Sequence, residues 1–129
     1  MFNKDEEKNK AERRYIDTVG MIDYAAQMED EHHIGVSFVT SDAIFLKETT
    51  VDKMEDIFFA MEEVFGTYKM NNYYAGSEES CLAIKYLCGD KKVVAFVSPR
   101  EDALNRVSGG KCSLQVIDRK ETVVVCGGE

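Results

Sequence analysis

Four cysteines and two histidines are the side chains in this sequence with the widest chemistry. A structural zinc site uses cysteines and histidines paired at short spacings. The closest pair here, Cys81 and Cys88, lies seven positions apart on one predicted strand. Residues an odd number of positions apart on a strand point to opposite faces of a sheet. The spacing therefore indicates reduced thiols in a core or a sheet, with a redox pair or a metal site as the alternative.

The other two cysteines, Cys112 and Cys126, belong to the arms of a predicted C-terminal hairpin, Cys112 to Ile117 and Thr122 to Cys126. They face each other if the connecting loop has three residues, and they sit diagonally if it has two. We interpret them, like the first pair, as thiols that pack in a sheet.

The pair His32-His33 follows three acidic residues, Glu29 to Glu31. Imidazoles together with carboxylates are suitable ligands for zinc or nickel. Adjacent residues at the end of a helix diverge, however, and histidine is favourable at a helix C-terminus without any ligand. Catalysis by either histidine would require a nucleophile or a second base within hydrogen-bonding distance, which the sequence does not place. We therefore expect a protein that is not an enzyme and that holds no metal or cofactor.

A long helix is predicted from Asn3 to about Glu31, because this segment has no proline and its apolar residues recur at helical spacing. Residues 1–12 carry almost no apolar side chain and are expected to fray. The apolar stripe has two interpretations: it packs on the sheet or the second helix, or it forms an interface with a second copy or another protein. It is our candidate interface and consists of Tyr15, Val19, Ile22 and Ala26.

The following segment predicts a hairpin and a second helix. Ile34, Val36 and Phe38 alternate with the residues between them, as in a half-buried strand, and Ala43 to Lys47 forms the return arm. Apolar residues at steps of three and four then predict a helix that ends at Gly66 and covers the sheet. These residues are Val51, Met54, Phe58, Met61 and Phe65.

Three further strands are expected after this helix. Tyr68 to Ala75 is rich in tyrosine and is interpreted as a strand or a structured loop, followed by a turn at Gly76 to Ser80. Cys81 to Cys88 and Lys91 to Ser98 predict a hairpin around Gly89-Asp90. Both arms are apolar enough for a central position in the sheet.

A short third helix is predicted from three start signals in the segment Ser98 to Glu101. They are a capping serine, a proline at the first helical position and a glutamate at the capping-box position. The helix is expected to stop at Gly109-Gly110, before the last hairpin, which turns at Asp118 to Glu121.

The chain has 129 residues, of which 44% are hydrophobic, enough for one core but too few for a second domain. We therefore predict a single α+β domain, residues 1–129, with a mainly antiparallel sheet of about five to seven strands, two long helices and one short helix. The net charge of −8 disfavours nucleic acid and membranes as partners. Without a signal peptide or an apolar span, the protein is expected to be cytoplasmic.

From about Tyr15 to Val107 the order of elements resembles the roadblock family of small α/β regulators. The hairpin Ile34 to Leu46 is similar to the family's opening strand pair, and Lys91 to Leu104 resembles its last strand and helix. Two departures are Ala43, where the family usually has glycine, and the additional C-terminal hairpin. The resemblance implies a roadblock/profilin-like layer arrangement. It also implies a non-catalytic homodimer or heterodimer that scaffolds or regulates a small GTPase, a motor or a gliding system.

An acidic, helix-flanked α+β dimer also resembles bacterial secretion chaperones, which hold an unfolded effector segment along their sheets. Our hypothesis is a cytoplasmic interaction module, a homodimer that binds another protein through the first helix and an exposed sheet surface. The partner is a small GTPase under the first resemblance and a secreted effector under the second. The rival hypothesis is a domain that binds a small molecule or a metal, or is an enzyme, through Cys81, Cys88 or the histidines in a pocket.

Overall fold

The computed structural model describes residues 3–75, 80–118 and 121–127 of the chain. These residues form three α-helices and eight strands, which confirms the α+β class, and the order of elements is the predicted one with a two-residue strand added. The predicted turns at Gly76–Ser80 and Asp118–Glu121 fall largely outside the described residues. The elements are α1 (Lys4–His32), β1 (Val36–Val39), β2 (Ala43–Leu46), β3 (Thr49–Thr50), a 3-10 turn (Val51–Lys53), α2 (Met54–Phe65), β4 (Lys69–Ala75), β5 (Leu82–Cys88), β6 (Lys91–Ser98), α3 (Arg100–Ser108), β7 (Cys112–Asp118) and β8 (Glu121–Cys126).

The main sheet has six strands, in the order β1-β2-β6-β5-β4, with β3 paired to the far end of β6. Strands that follow one another in the chain pair antiparallel, as hairpins require. β2 and β3 instead run parallel to β6, because the chain passes through α2 and two strands before it returns to their edge. The β5–β6 hairpin lies inside the sheet, as its apolar arms indicated, and β7 pairs with β8 in a separate small sheet.

Helix α1 begins where the Asn3 side chain accepts a hydrogen bond from the Glu6 N–H, at 3.0 Å. It ends at His33, which adopts the left-handed conformation and donates its N–H to the Glu29 carbonyl, at 3.1 Å. The helix covers most of the segment for which fraying is expected, and that fraying stays a prediction. Only the second half of α1 is buried, along a row that consists of Met21, Ala25 and Met28.

The core lies between one face of the main sheet and the helices. On β6, Val93, Ala95 and Val97 belong to the core cluster, whereas the intervening Phe96 and Val94 lie on the other face, where Val94 is buried by its neighbours in the sheet. Side chains of α2, α3, β7 and β8 pack against the same face of the sheet, so its other face has no helix of the described residues over it. The predicted end of α2 is confirmed, because Gly66 has a φ of 82° and its N–H bonds the Glu62 carbonyl.

Three local predictions are wrong. A bulge between Val36 and Phe38 reverses the alternation of β1, so that Val36 and Val39 face the core and Phe38 faces away from it. Ser98 does not cap α3, because it is still part of β6 and its hydroxyl donates to the Thr49 carbonyl across the β3–β6 pair, at 3.2 Å. Pro99 does not take the first helical position, because its backbone is extended and α3 begins at Arg100, where no side chain of the described residues caps the helix.

Candidate interaction surfaces

The predicted interface residues Tyr15, Val19, Ile22 and Ala26 lie on one side of α1, here named the α1 stripe. All four are exposed, including 71% of Tyr15 and 51% of Ile22. The α1 stripe lies about 120° around the helix from the buried row of Met21. The structure therefore contradicts the interpretation in which the stripe packs within the chain.

Acidic residues border the α1 stripe along one side. Asp23 follows Val19 by four positions, Asp30 follows Ala26 by four, and Glu12 precedes Tyr15 by three, which makes each acidic residue a surface neighbour of the stripe. All three carboxylates are exposed, and no described cation pairs with them. The surface that α1 offers to a partner is therefore apolar with an acidic edge.

A second apolar surface is the uncovered face of the main sheet, here named the open sheet face. One row across the strands is fixed by the register: Phe38 pairs with Phe45, which pairs with Val94, which pairs with Lys85. The rings of Phe38 and Phe45 are stacked, with centroids 4.3 Å apart, and Phe38 is 54% exposed. A neighbouring row holds Phe96, Ala83 and the exposed Tyr74.

The open sheet face includes a shallow depression. Its walls come from the β1–β2 turn and from strands β2, β4, β5 and β6, without any helix residue. Lys92 lies in it and pairs with Asp42, with 3.6 Å between Nζ and Oδ2. Lys85 is half-buried and makes no ion pair among the described residues. This face combines aromatic rings with lysines, such as Lys85, that are available to a binding partner.

The structure contradicts the prediction that all four cysteines are thiols, because Cys112 and Cys126 form a disulfide. The two residues are directly opposite each other, although only residues 119 and 120 separate the paired Asp118 and Glu121. A register shift between Val116 and Asp118 places the two cysteines opposite each other, and such a shift does not follow from the length of the loop. The Tyr73 hydroxyl lies 3.2 Å from Cys112 Sγ, so the hairpin is held against β4.

Cys81 and Cys88 are both buried. Burial raises the pKa of the Cys88 thiol to about 11, because the thiolate loses its solvation. A nucleophilic cysteine requires the opposite shift, towards a pKa below the ordinary value. Cys88 is therefore suited to packing and is a poor candidate for the rival enzymatic hypothesis.

The raised pKa of Cys88 predicts a loss of stability in alkali. The folded chain keeps its proton up to about pH 11, whereas the thiol of the unfolded chain ionises near pH 9, so the free energy of unfolding falls as the pH rises between these values. Burial also raises the pKa of Tyr86, which acts in the same direction. We expect the urea midpoint to fall from pH 8.5 to pH 10.5, and to fall less in Cys88→Ala. If the urea midpoint fell equally in the wild-type protein and in Cys88→Ala, the loss of stability in alkali would not arise from Cys88.

The two histidines have different surroundings. His32 packs edge-on against Phe59, with ring centroids 5.7 Å apart, and its Nε2 is buried without a hydrogen-bond partner among the described residues. His33 is exposed at the end of α1. Both contribute to a cleft of about 590 Å³, whose other walls include Leu46 of β2, Lys47, Lys53 of the 3-10 turn and Ile57 of α2. Among the described residues, no group of three His, Cys, Asp or Glu side chains is arranged to hold a metal ion.

Comparisons with protein-family models, with curated proteins and with solved structures find no match to this chain. The resemblance to the roadblock family therefore stays a prediction. Within the described part of the chain, none of the helices combines the length and the apolar character required to cross a membrane.

Proposed function

We propose that this chain is a non-catalytic protein-interaction module that functions as a homodimer and regulates or scaffolds another protein. The observation that carries the proposal is the presence of two apolar surfaces that the fold leaves uncovered, the α1 stripe and the open sheet face. The described core is complete without either of them, with Met61, Ile84 and Leu104 almost entirely buried. Apolar patches that remain outside a complete core are typical of interaction sites.

The chemistry of the candidate catalytic residues supports a non-catalytic function. The thiol of Cys88 is buried with a raised pKa, and two of the other cysteines form a disulfide. His32 packs against Phe59, and its Nε2 has no hydrogen-bond partner among the described residues. General acid–base or nucleophilic catalysis requires two such groups within hydrogen-bonding distance of each other or of a substrate.

The roadblock resemblance suggests a small GTPase, a motor or a gliding system as the partner, and the chaperone resemblance suggests a secreted effector. Both hypotheses place the module in the cytoplasm. A disulfide is uncommon in that reducing compartment, so the effect of the Cys112–Cys126 bond on stability bears on this part of the proposal.

The proposal predicts the mass of the protein in solution. Light scattering over a range of concentrations is expected to give twice the chain mass of 14.6 kDa, and a metal assay of the same sample is expected to give far less than one equivalent per chain. A monomer at every concentration would contradict the homodimer. A monomer with one equivalent of bound metal would favour the rival hypothesis of a metal-binding domain.

A further inference from the structure

We infer that the open sheet face is the surface through which two copies of this chain associate, and that the α1 stripe remains free for a different protein. This inference rests on the proposed function, because it assigns the dimer contact of a chain already proposed to be a homodimer. The occupant of the open sheet face is the same face of a second copy.

The areas of the two surfaces favour this assignment. The α1 stripe extends over about 17 Å of helix and is about 10 Å wide, so two copies in contact would bury about 340 Å². The open sheet face has five strands of about six residues, with a footprint of about 24 by 20 Å, and two copies would bury about 1,000 Å². A stable interface requires roughly 1,000 Å² or more. Of the two surfaces, only the open sheet face reaches this size.

The residues of the open sheet face suit contact with a copy of itself. A two-fold axis along β6, in the plane of the interface, places the β1–β2 side of one copy over the β5–β4 side of the other. Because this axis keeps each row opposite itself, Phe45 of the stacked pair then faces Lys85 of the second copy, and Phe38 faces Asn72, with Tyr74 in the next row. A lysine over an aromatic face and an aromatic ring beside another are both favourable contacts. Lys85, which makes no ion pair among the described residues, thus gains a partner. Two sheets packed in this way form a sandwich about 10 Å thick.

The charge of the open sheet face permits contact with a second copy. Lys92 lies near the proposed axis, where it would approach Lys92 of the second copy. Its charge is already balanced by Asp42. The chain as a whole has a net charge of −8, so two copies repel each other except where contact occurs through a face without excess negative charge. The α1 stripe has an acidic border and fits this condition less well.

The experiment compares substitutions of two phenylalanines that lie on different surfaces and have similar exposure. Phe38 on the open sheet face is 54% exposed, and Phe59 on α2 is 58% exposed. Phe38→Asp is expected to raise the dimer dissociation constant by at least about 30-fold, as the loss of an aromatic anchor does. Phe59→Asp is expected to change it by less than about 3-fold. Sedimentation over a dilution series measures both constants, and circular dichroism verifies that each variant is folded.

Three further variants complete the test. Tyr74→Asp changes a second exposed residue of the open sheet face, on the other side of the proposed axis, and decides the question if Phe38→Asp does not fold. The double variant Val19→Asp/Ile22→Asp removes the α1 stripe, and Asn9→Asp/Gln27→Asp adds the same charge elsewhere on that helix. Both helix variants are expected to remain dimeric.

The outcomes separate the inference from the proposed function. A dimeric wild-type protein whose Phe38→Asp and Tyr74→Asp variants remain as dimeric as Phe59→Asp overturns the inference and leaves the proposed homodimer intact. Dissociation by Val19→Asp/Ile22→Asp also overturns it, because the α1 stripe would then be the dimer contact. A wild-type protein that is monomeric throughout overturns both.

Discussion

Met21→Asp is expected to unfold the chain, whereas Ile22→Asp, one position later on the same helix, is expected to leave it folded. Met21 is 0% exposed within the core, and Ile22 is 51% exposed on the α1 stripe. A carboxylate at Met21 would lose its hydration without gaining a partner, which costs several kcal/mol in addition to the lost packing. At the exposed position, the free energy of unfolding is expected to change by less than about 0.5 kcal/mol. Urea unfolding followed by circular dichroism measures both.

Met21→Leu is the matched control, because it keeps the volume and the apolar character of the side chain and is expected to cost less than about 1.5 kcal/mol. An equal loss of stability in Met21→Asp and Ile22→Asp would contradict the described placement of α1, since it would mean that both rows of the helix are buried. If Ile22→Asp unfolded the chain and Met21→Asp did not, the α1 stripe would be the row of the helix that faces the core.

The sequence of α1 contains two apolar rows with helical spacing, and this explains why the buried row was missed. Tyr15, Val19, Ile22 and Ala26 are the larger and more regular set, but the structure buries the row of Met21, which also steps by four and three. Periodicity identifies the rows and the presence of a helix. The choice between them depends on the position of the helix relative to β1, β2 and α2, which is a long-range property.

Elements with strong local patterns were predicted well. α2 has one broad apolar face and a glycine stop, and the β5–β6 hairpin has a clear turn, so their existence and type follow from residues close in sequence. The order of the strands does not follow in this way. That β2 lies beside β6, and that the helices cover one face of the sheet only, depends on contacts between residues far apart in the chain.

The two candidate interaction surfaces also depend partly on local sequence patterns and partly on contacts between distant residues. Periodicity identifies the residues of the α1 stripe but leaves open whether they are exposed, and it does not single out the buried row. The sequence predicts an exposed sheet surface but not the residues that form it, because simple alternation along β1 places Phe38 on the core side. A one-residue bulge moves Phe38 to the outer face, where it stacks on Phe45. Alternation along a single strand does not reveal a bulge, since the extra residue is defined by the partner strand.

Reduction of the Cys112–Cys126 disulfide is expected to lower the free energy of unfolding by about 3 kcal/mol. The bond closes a loop with a sequence separation of 14 residues, and a cross-link of this length restricts the unfolded chain by about that amount. Leu114 and Val124, on the strands that the disulfide joins, pack against the core, and the Tyr73 hydroxyl contacts Cys112 Sγ. Urea unfolding with and without dithiothreitol measures the difference.

The double variant Cys112→Ala/Cys126→Ala is the control. It is expected to be as unstable as the reduced wild-type protein and to show no further response to dithiothreitol, because Cys88 is already a thiol in the folded chain. A wild-type protein that does not respond to the reductant would contradict the described disulfide. Domains of ordinary stability have about 5–15 kcal/mol available, so a loss of about 3 kcal/mol leaves the reduced chain folded and the proposed cytoplasmic location tenable. If reduction unfolds the chain at 37 °C, the bond is required for the fold, and the module must function in an oxidising compartment instead.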